Sequence, residues 1–315
     1  MTWSAGATIG IAAEDETFEA WLTAFRAEAK SAGISPAIIK ATLDNLQPVP
    51  EVVELDRRQP EGRLTFQEYN RNILAKSRIE RGRALYKKHQ ALLNRVAKRY
   101  KVQPRFIIAL WGIETSYGGF QGGHHVVPAL ATLAHDGRRA KFFRSELIAA
   151  LRILDQGHIS PADMRGSWAG AMGQCQFMPS SFLRFAVDFD GDGKRDIWNS
   201  LPDIFASIAN YLASSGWDDR YTWGRQVKPA AAKSPPPTSK AALKIVKSLP
   251  EWQSLGVRRK NGRNLPKMAL DASLLHTDDG EGPAYLVYDN FRVLMDWNRS
   301  TYFALTVGEL ADLIQ

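Results

Sequence analysis

Glu114 ends the run Ile107-Ile108-Ala109-Leu110-Trp111-Gly112-Ile113-Glu114. On a helix, Ile107, Leu110, Trp111 and Glu114 share one face, so a carboxyl group continues an apolar stripe. Burying an unpaired carboxylate is costly, so its neutral form is favoured there. A carboxylic acid still protonated near neutrality is what protonating a leaving-group oxygen requires. A glutamate paired with a buried arginine, or bonded to backbone, satisfies the same pattern without doing chemistry.

A second constellation is Ser167-Trp168-Ala169-Gly170-Ala171-Met172-Gly173-Gln174-Cys175-Gln176-Phe177-Met178-Pro179-Ser180. Its small residues let backbone approach a ligand or another helix. Gln176 can donate and accept, as sugar hydroxyls and N-acetyl groups require. A tightly packed turn has the same composition.

The third is Asp188-Phe189-Asp190-Gly191-Asp192-Gly193-Lys194-Arg195-Asp196. It places carboxylates at positions 1, 3 and 5, glycine at 6 and an acid at 9 of a calcium loop. Lys194, at position 7, would offer its carbonyl. Asn199 stands at position 12, where a bidentate glutamate is usual. Asp203, on the following helix, closes the site if the loop is longer. A plain Asp/Gly turn is the competing reading. A metal here serves the fold, since no open position for catalysis shows. Cys175 reads as an inert buried thiol despite His124, His125 and His135 upstream, and His124-His125 has no metal spacing.

The elements that must carry these groups are mostly helical. Phe18, Trp21, Leu22 and Phe25 recur at helical spacing within Glu16–Gly33, and Ser35-Pro36 opens a second helix. Asp56-Arg57-Arg58-Gln59-Pro60-Glu61 breaks the pattern as an ordered connection. Residues 70–100 are helical and basic, and 104–117 form a buried helix stopped by Gly118-Gly119. Further helices are predicted at 139–156, 179–186, 201–215 and 306–314. Lys233-Ser234-Pro235-Pro236-Pro237 is a loop. From Lys228 to Lys267 ten lysines and arginines face one acid, Glu251, which suits either a polyanion-facing surface or a solvated insert. Ala284–Tyr288 and Phe291–Met295 read as strands of a hairpin turning at Asp289-Asn290.

Composition narrows the class. The 315 residues carry 41 lysines and arginines against 33 acids, a net charge of +8, with 44% apolar and 23% charged residues. That balance excludes global disorder, and no run is long and apolar enough for a membrane span. One cysteine, Cys175, allows no internal disulfide. The positive charge suits a solvated surface or an anionic partner. No zinc spacing or glycine-aromatic RNA signature accompanies it, so nucleic acid is not expected. Residues 1–13 lack the basic start of a signal peptide, so export must rest on the chemistry.

The order Glu114-Thr115-Ser116-Tyr117-Gly118, then Ser167–Ser180, the aspartate loop and Ala209-Asn210-Tyr211 resembles the membrane-bound lytic transglycosylase B family. Leu55-Asp56-Arg57-Arg58-Gln59-Pro60-Glu61 extends the resemblance, which runs from about residue 16 to the C-terminus. It implies a mainly α fold of the α+β kind. A lysozyme-like catalytic core at 76–217 follows an N-terminal helical domain at 14–75. A small β-containing insertion at 218–295 precedes a segment, 296–315, that returns to the core. Glu114 matches the family's single catalytic acid. Tyr117, Ser167, Gln176, Tyr211 and Asn298 match residues lining the glycan cleft. Asp188, Asp190, Asp192, the Lys194 carbonyl and Asp203 match a structural calcium loop longer than twelve residues. Two departures are Gln174-Cys175, where an aromatic and a glycine are common, and Phe303, where some members have tyrosine.

The implied activity is cleavage of the β-1,4 bond between N-acetylmuramic acid and N-acetylglucosamine in peptidoglycan, leaving 1,6-anhydro ends. It needs no organic cofactor. The expected setting is a soluble periplasmic monomer whose partners are glycan strands and other cell-wall enzymes. A hydrolytic muramidase on the same fold and a non-catalytic wall-binding scaffold are the alternatives.

Overall fold

The computed structural model describes residues 17–58, 64–230 and 236–314. Residues 1–16, Gln59-Pro60-Glu61 of the expected connection and Lys233-Ser234-Pro235 of the expected loop lie outside them. Helices Phe18–Ser31, Pro36–Leu43, Pro50–Arg57 and Phe66–Ile73 open the described chain. Their starts follow from side chains that satisfy otherwise unpaired N–H groups. Thr17 accepts from the Ala20 N–H, Ser35 from the Ile38 N–H, and Thr65 forms a capping box with Glu68. Asp56 and Arg57 end a helix rather than lying in a connection, because Pro50 supplies a first-turn position upstream. Asp56 is buried and takes Arg138 Nε at 2.6 Å and an Arg139 guanidinium N–H at 2.7 Å. That joins the early helices to the start of helix Ala140–Asp155.

The expected basic stretch, 70–100, divides among the end of Phe66–Ile73, Lys76–Lys88 and Gln90–Tyr100. Next comes Pro104–Thr115, called the acid helix below. Phe106, Ile107, Ile108, Ala109 and Leu110 are fully enclosed in it. Burying each large apolar side chain there contributes about 1.5–3 kcal/mol. Around the acid helix pack Lys76–Lys88, Gln90–Tyr100, Leu201–Ser214 and the C-terminal helix Thr301–Ile314. Helix Val126–Asp136 lies on Ala140–Asp155, which also meets Pro179–Phe185.

A five-stranded antiparallel sheet interrupts the helices. Its strands lie in the order Lys247–Ser248, Asp271–His276, Ala284–Val287, Gly224–Lys228 and Arg258–Arg259. Ala284–Val287 is central and buried at every residue. Tyr285 and Val287 join the main core, while Ala284 and Leu286 join a smaller core around Val227, Leu249, Trp252 and Val257. A strand buried on both faces reads as an unbroken apolar run.

Residues 291–295 are not the second arm of a hairpin. They belong to helix Asp289–Trp297, with Phe291, Val293 and Leu294 buried. Asp289 stands in its first turn, and packing on Leu201–Ser214 and Thr301–Ile314 overrides the strand propensity of the segment. No helix among the described residues is long and apolar enough to cross a membrane.

Candidate active site

The acid helix ends abruptly. Ser116, Tyr117 and Gly118 all adopt left-handed backbone, with φ of 51°, 60° and 76°. The Tyr117 N–H donates to the Trp111 carbonyl at 3.2 Å, and the Gly118 N–H to Thr115 Oγ1 at 3.0 Å. A Cβ on Gly118 would sit 2.3 Å from Gln174 Oε1. Glycine is therefore needed for both the backbone angle and the approach. Gln174 accepts from Trp111 Nε1 and donates to the Trp198 carbonyl, each at 2.7 Å. One of the two departures at Gln174-Cys175 thus clamps the loop onto the acid helix. Cys175 is fully buried beneath it and burial pushes its thiol up, so it is an inert packing residue.

Glu114 occupies the last turn. Among the described residues, no arginine or backbone N–H holds it; Trp297 Nε1 donates to its Oε1 at 2.7 Å. Burial pushes its carboxyl up to about 7, against the opposing effect of that hydrogen bond. Trp297 stands in an aromatic wall, 4.7 Å from the Tyr211 ring and 5.3 Å from Phe177 between centroids. Tyr211 lies 4.4 Å from Phe185, and its hydroxyl donates to the Asp296 carbonyl at 2.7 Å.

The nearest downstream acids in sequence are otherwise engaged. Asp136 accepts from Arg57 at 2.7 Å. Glu146 is buried and accepts the Ser180 N–H and hydroxyl at 2.8 and 2.6 Å. It caps the helix that Pro179 begins. Tyr69, on helix Phe66–Ile73, lies close enough for the Glu114 charge to raise its phenol further above the value set by burial.

The remaining expected cleft residues are held in distinct ways. The Gln176 amide donates to the Gln121 and Gly173 carbonyls at 3.1 and 3.0 Å, on a backbone with φ of 49°. Ser167 Oγ accepts the Ala171 N–H at 3.0 Å and so braces its own turn. Asn298 is exposed, and its Oδ1 accepts the Ser300 N–H at 3.0 Å. Tyr117 is only 4% exposed, and its hydroxyl donates to the Arg78 carbonyl at 2.9 Å. Its ring presses on Gly112, where a Cβ would meet it at 2.4 Å. Tyr117 therefore underpins the acid helix and reaches the surface at a hollow shared with Arg78, Arg81 and Ser116. Trp297 had no role in the sequence reading. The available signal was an indole N–H immediately before Asn298.

In the aspartate loop, Asp188, Asp190 and Asp203 bring carboxylate oxygens within 4.8 Å of one another. Asp203 is fully buried; burial, with Asp190 and Asp188 beside it, pushes its carboxyl up to about 6. It also accepts the Phe189 and Asp196 N–H groups, each at 2.8 Å. Three converging carboxylates with one deeply buried fit a hard cation, which would supply the missing positive charge. Asp192 does not join them. Its Oδ1 accepts the Lys194 N–H at 2.8 Å, which turns the carboxylate back on its own loop.

An isolated, protonatable glutamate beside an aromatic wall is the equipment of a one-acid glycan-cleaving site. The chain belongs to the Transglycosylase SLT domain family, whose model matches residues 17–312. It is 32% identical over 252 residues to membrane-bound lytic murein transglycosylase B of Escherichia coli K12. That match covers 78% of this chain and spans 66% of the relative. SltB3 from Pseudomonas aeruginosa, solved with NAG-anhNAM-pentapeptide, is 43% identical with a TM-score of 0.88, over 94% of this chain and 79% of that one. Escherichia coli Slt35, solved with calcium, is 28% identical with a TM-score of 0.79, over 93% and 92% of the two chains. The mainly helical architecture with small sheets is thus that of the lysozyme-like lytic transglycosylases.

Proposed function

We propose that this chain is a peptidoglycan lytic transglycosylase that cleaves the β-1,4 bond between N-acetylmuramic acid and N-acetylglucosamine. The observation that carries the reading is Glu114, half-buried at the end of the acid helix, raised to about 7 and hydrogen-bonded by the Trp297 indole. Ordinary glycosidases divide the work between two carboxyl groups. Here Glu114 gives its proton to the glycosidic oxygen as the bond to the muramic anomeric carbon breaks. The substrate's N-acetyl oxygen stabilises the positive carbon. The Glu114 carboxylate then takes the proton of the muramic C6 hydroxyl while that oxygen bonds to the anomeric carbon. A 1,6-anhydro ring closes, the acid is regenerated and no water is consumed.

The roles assigned to the other residues extend this reading. Gln176, Ser167, Tyr211 and Asn298 line the glycan cleft, with Tyr117 at its floor. Asp188, Asp190 and Asp203 hold a structural calcium ion, and the Lys194 carbonyl is a further ligand. Helices at 14–75, the core at 76–217, the inserted sheet at 218–295 and the returning segment 296–315 act as four units. On this reading the enzyme works in the periplasm, as a monomer on glycan strands among other wall enzymes.

Digestion of purified walls followed by product mass analysis tests the reading. Released muropeptides weigh one water less than lysozyme products and resist borohydride. Borohydride-reducible ends as the main product would transfer the chain to the hydrolases, and intact walls would leave a binding scaffold.

A further inference from the structure

Gln174 touches none of the reacting atoms, yet both ends of its amide are spent between two elements that carry the site. Its Oε1 accepts from Trp111, one turn before Glu114 on the acid helix, and its Nε2 donates to the Trp198 carbonyl, each at 2.7 Å. Its backbone repeats the span. The N–H donates to the Ile197 carbonyl at 2.8 Å, and the carbonyl accepts the hydroxyl of Thr115, the residue after Glu114, at 3.3 Å. The fit leaves no slack on either side. A Cβ on Gly173 would meet the Ile197 carbonyl oxygen at 2.7 Å. Trp111 and Trp198 are both buried, so a bond lost there leaves a buried polar group unpaired.

Trp198 is in turn set by the aspartate loop. Its N–H donates to Asp196 Oδ1 at 2.9 Å, and the Asp196 N–H donates to Asp203 Oδ2 at 2.8 Å. Asp203 is one of the three carboxylates that converge in that loop. Hydrogen bonds therefore run without a gap from Asp203 through Asp196, Trp198 and Gln174 to Trp111. Such contiguous networks carry coupling where an element has two arrangements. The loop has them, because Asp188, Asp190 and Asp203 repel one another unless a cation lies between them.

We propose that Gln174 is a positioning residue that passes the order of the aspartate loop to the end of the acid helix and so holds Glu114 in place. The proposal rests on the transglycosylase reading above and names a residue that sets the state of its acid. The proton on Glu114 reports on it. Tyr69 faces that carboxyl from helix Phe66–Ile73 and Cys175 from beneath the loop; burial pushes both up, so both stay neutral where the acid titrates. His89 meets Trp111 edge-on at 6.4 Å, and burial, with Lys88 nearby, holds its imidazole below the ordinary 6.5. Groups on the other surrounding helices are engaged elsewhere. Arg78 donates to the Ile73 carbonyl and Ser116, and Arg81 lies over the Tyr117 ring. Glu309 accepts from Tyr285 and Asn70, Asp312 from Arg105 and Trp223, and Asp296 beside Trp297 is exposed.

The test compares the full chain as wild type, Gln174→Leu and Trp111→Phe. Trp111→Phe breaks the span at the acid helix alone and keeps an aromatic ring there, which guards against a misfolded Gln174→Leu. Burial is the largest cause of the raised Glu114 carboxyl, and a loosened helix end admits water. In both variants the alkaline limb of the kcat profile should therefore move to lower pH by about one unit, a tenfold change in protonation, with KM little changed. The double variant should move no further than either single change. Coupling is reciprocal, so calcium affinity measured by calorimetry should weaken at least about fivefold in both variants, the low end for coupled sites. A clamp that only packs lowers the melting temperature and moves neither quantity. Either one unmoved in both variants overturns the proposal. If the wild type cleaves no wall, the functional reading fails, and the relay is still decided by calorimetry and by melting. The gain in melting temperature of Glu114→Gln between pH 4.5 and about 7 should shrink in the Gln174→Leu background, and an undiminished gain overturns the proposal.

Discussion

At the scale of single residues, the site turns on where one proton resides. Glu114→Gln keeps the shape and the Trp297 contact but cannot cycle a proton. Activity on walls should fall by roughly 10²–10⁴-fold, the usual range for general acid–base catalysis. A folded Glu114→Gln protein that still cleared walls would remove this residue from its role. The same group sets a stability signature. Its carboxyl lies at about 7 in the folded chain against an ordinary 4.5, so the folded state holds its proton longer. The stability it contributes is complete below pH 4.5 and is lost as pH rises through 7. The neutral glutamine escapes that loss, so the melting temperature of Glu114→Gln should gain on wild type across this window and level off above it. Trp297→Phe removes the bond that opposes the upward shift. The alkaline limb of its kcat profile should therefore move to higher pH, with kcat reduced. An unmoved limb would show that the indole does not tune the acid.

At the scale of elements, the helices were the most legible part of the sequence. Ser35-Pro36 states where a helix starts, and the apolar stripe of Phe18, Trp21, Leu22 and Phe25 states which face is buried, whereas the capping box at Thr65 went unread. Phe291–Met295 was illegible because alternation over five residues fits a strand, and only the helices packed on it decide otherwise. Glu114 was legible as a candidate, but its indole partner is 183 positions away, beyond any local pattern. The aspartate loop was legible in composition and not in coordination. Alternation puts Asp188, Asp190 and Asp192 on equal terms, whereas in the fold Asp188 and Asp190 converge with the expected Asp203 while Asp192 Oδ1 accepts the Lys194 N–H. A cation that binds only the folded chain stabilises it by about 2.7 kcal/mol at a hundred times its dissociation constant. Chelator should lower the melting temperature and calcium should restore it. Asp188→Ala/Asp190→Ala should abolish the response, while Asp192→Ala should keep most of it. A wild-type melting curve indifferent to both reagents would reduce the loop to a plain turn.

At the scale of the whole molecule, the elements around the acid helix are joined by a few carboxylates that reach across the chain. Glu309 of the C-terminal helix accepts from Tyr285 of the inserted sheet and from Asn70 Nδ2 of an early helix. Asp278 makes a second junction. Its Oδ1 accepts the Phe66 N–H at 2.8 Å and the Tyr302 hydroxyl at 2.7 Å, so one side chain binds insertion, early helix and C-terminal helix together. Asp278 and Asp279 hold left-handed backbone, with φ of 52° and 53°, which non-glycine residues rarely adopt. Glycine at 278 would relax that backbone while deleting the junction, so the two effects oppose each other. Hydrogen bonds to a charged acceptor contribute about 1.5–3 kcal/mol each, against about 1–3 kcal/mol for a residue in a sparsely populated backbone region. With two such bonds lost, Asp278→Gly should be destabilised by about 1–3 kcal/mol, read from denaturant midpoints. Tyr302→Phe removes one of the bonds, so its effect should be smaller in the Asp278→Gly background than in wild type. If the two changes simply add, Asp278 and Tyr302 are neighbours without coupling. Because Tyr302 follows the Trp297 turn, Asp278→Gly should also lower kcat from a distance, with Glu114 and its indole intact.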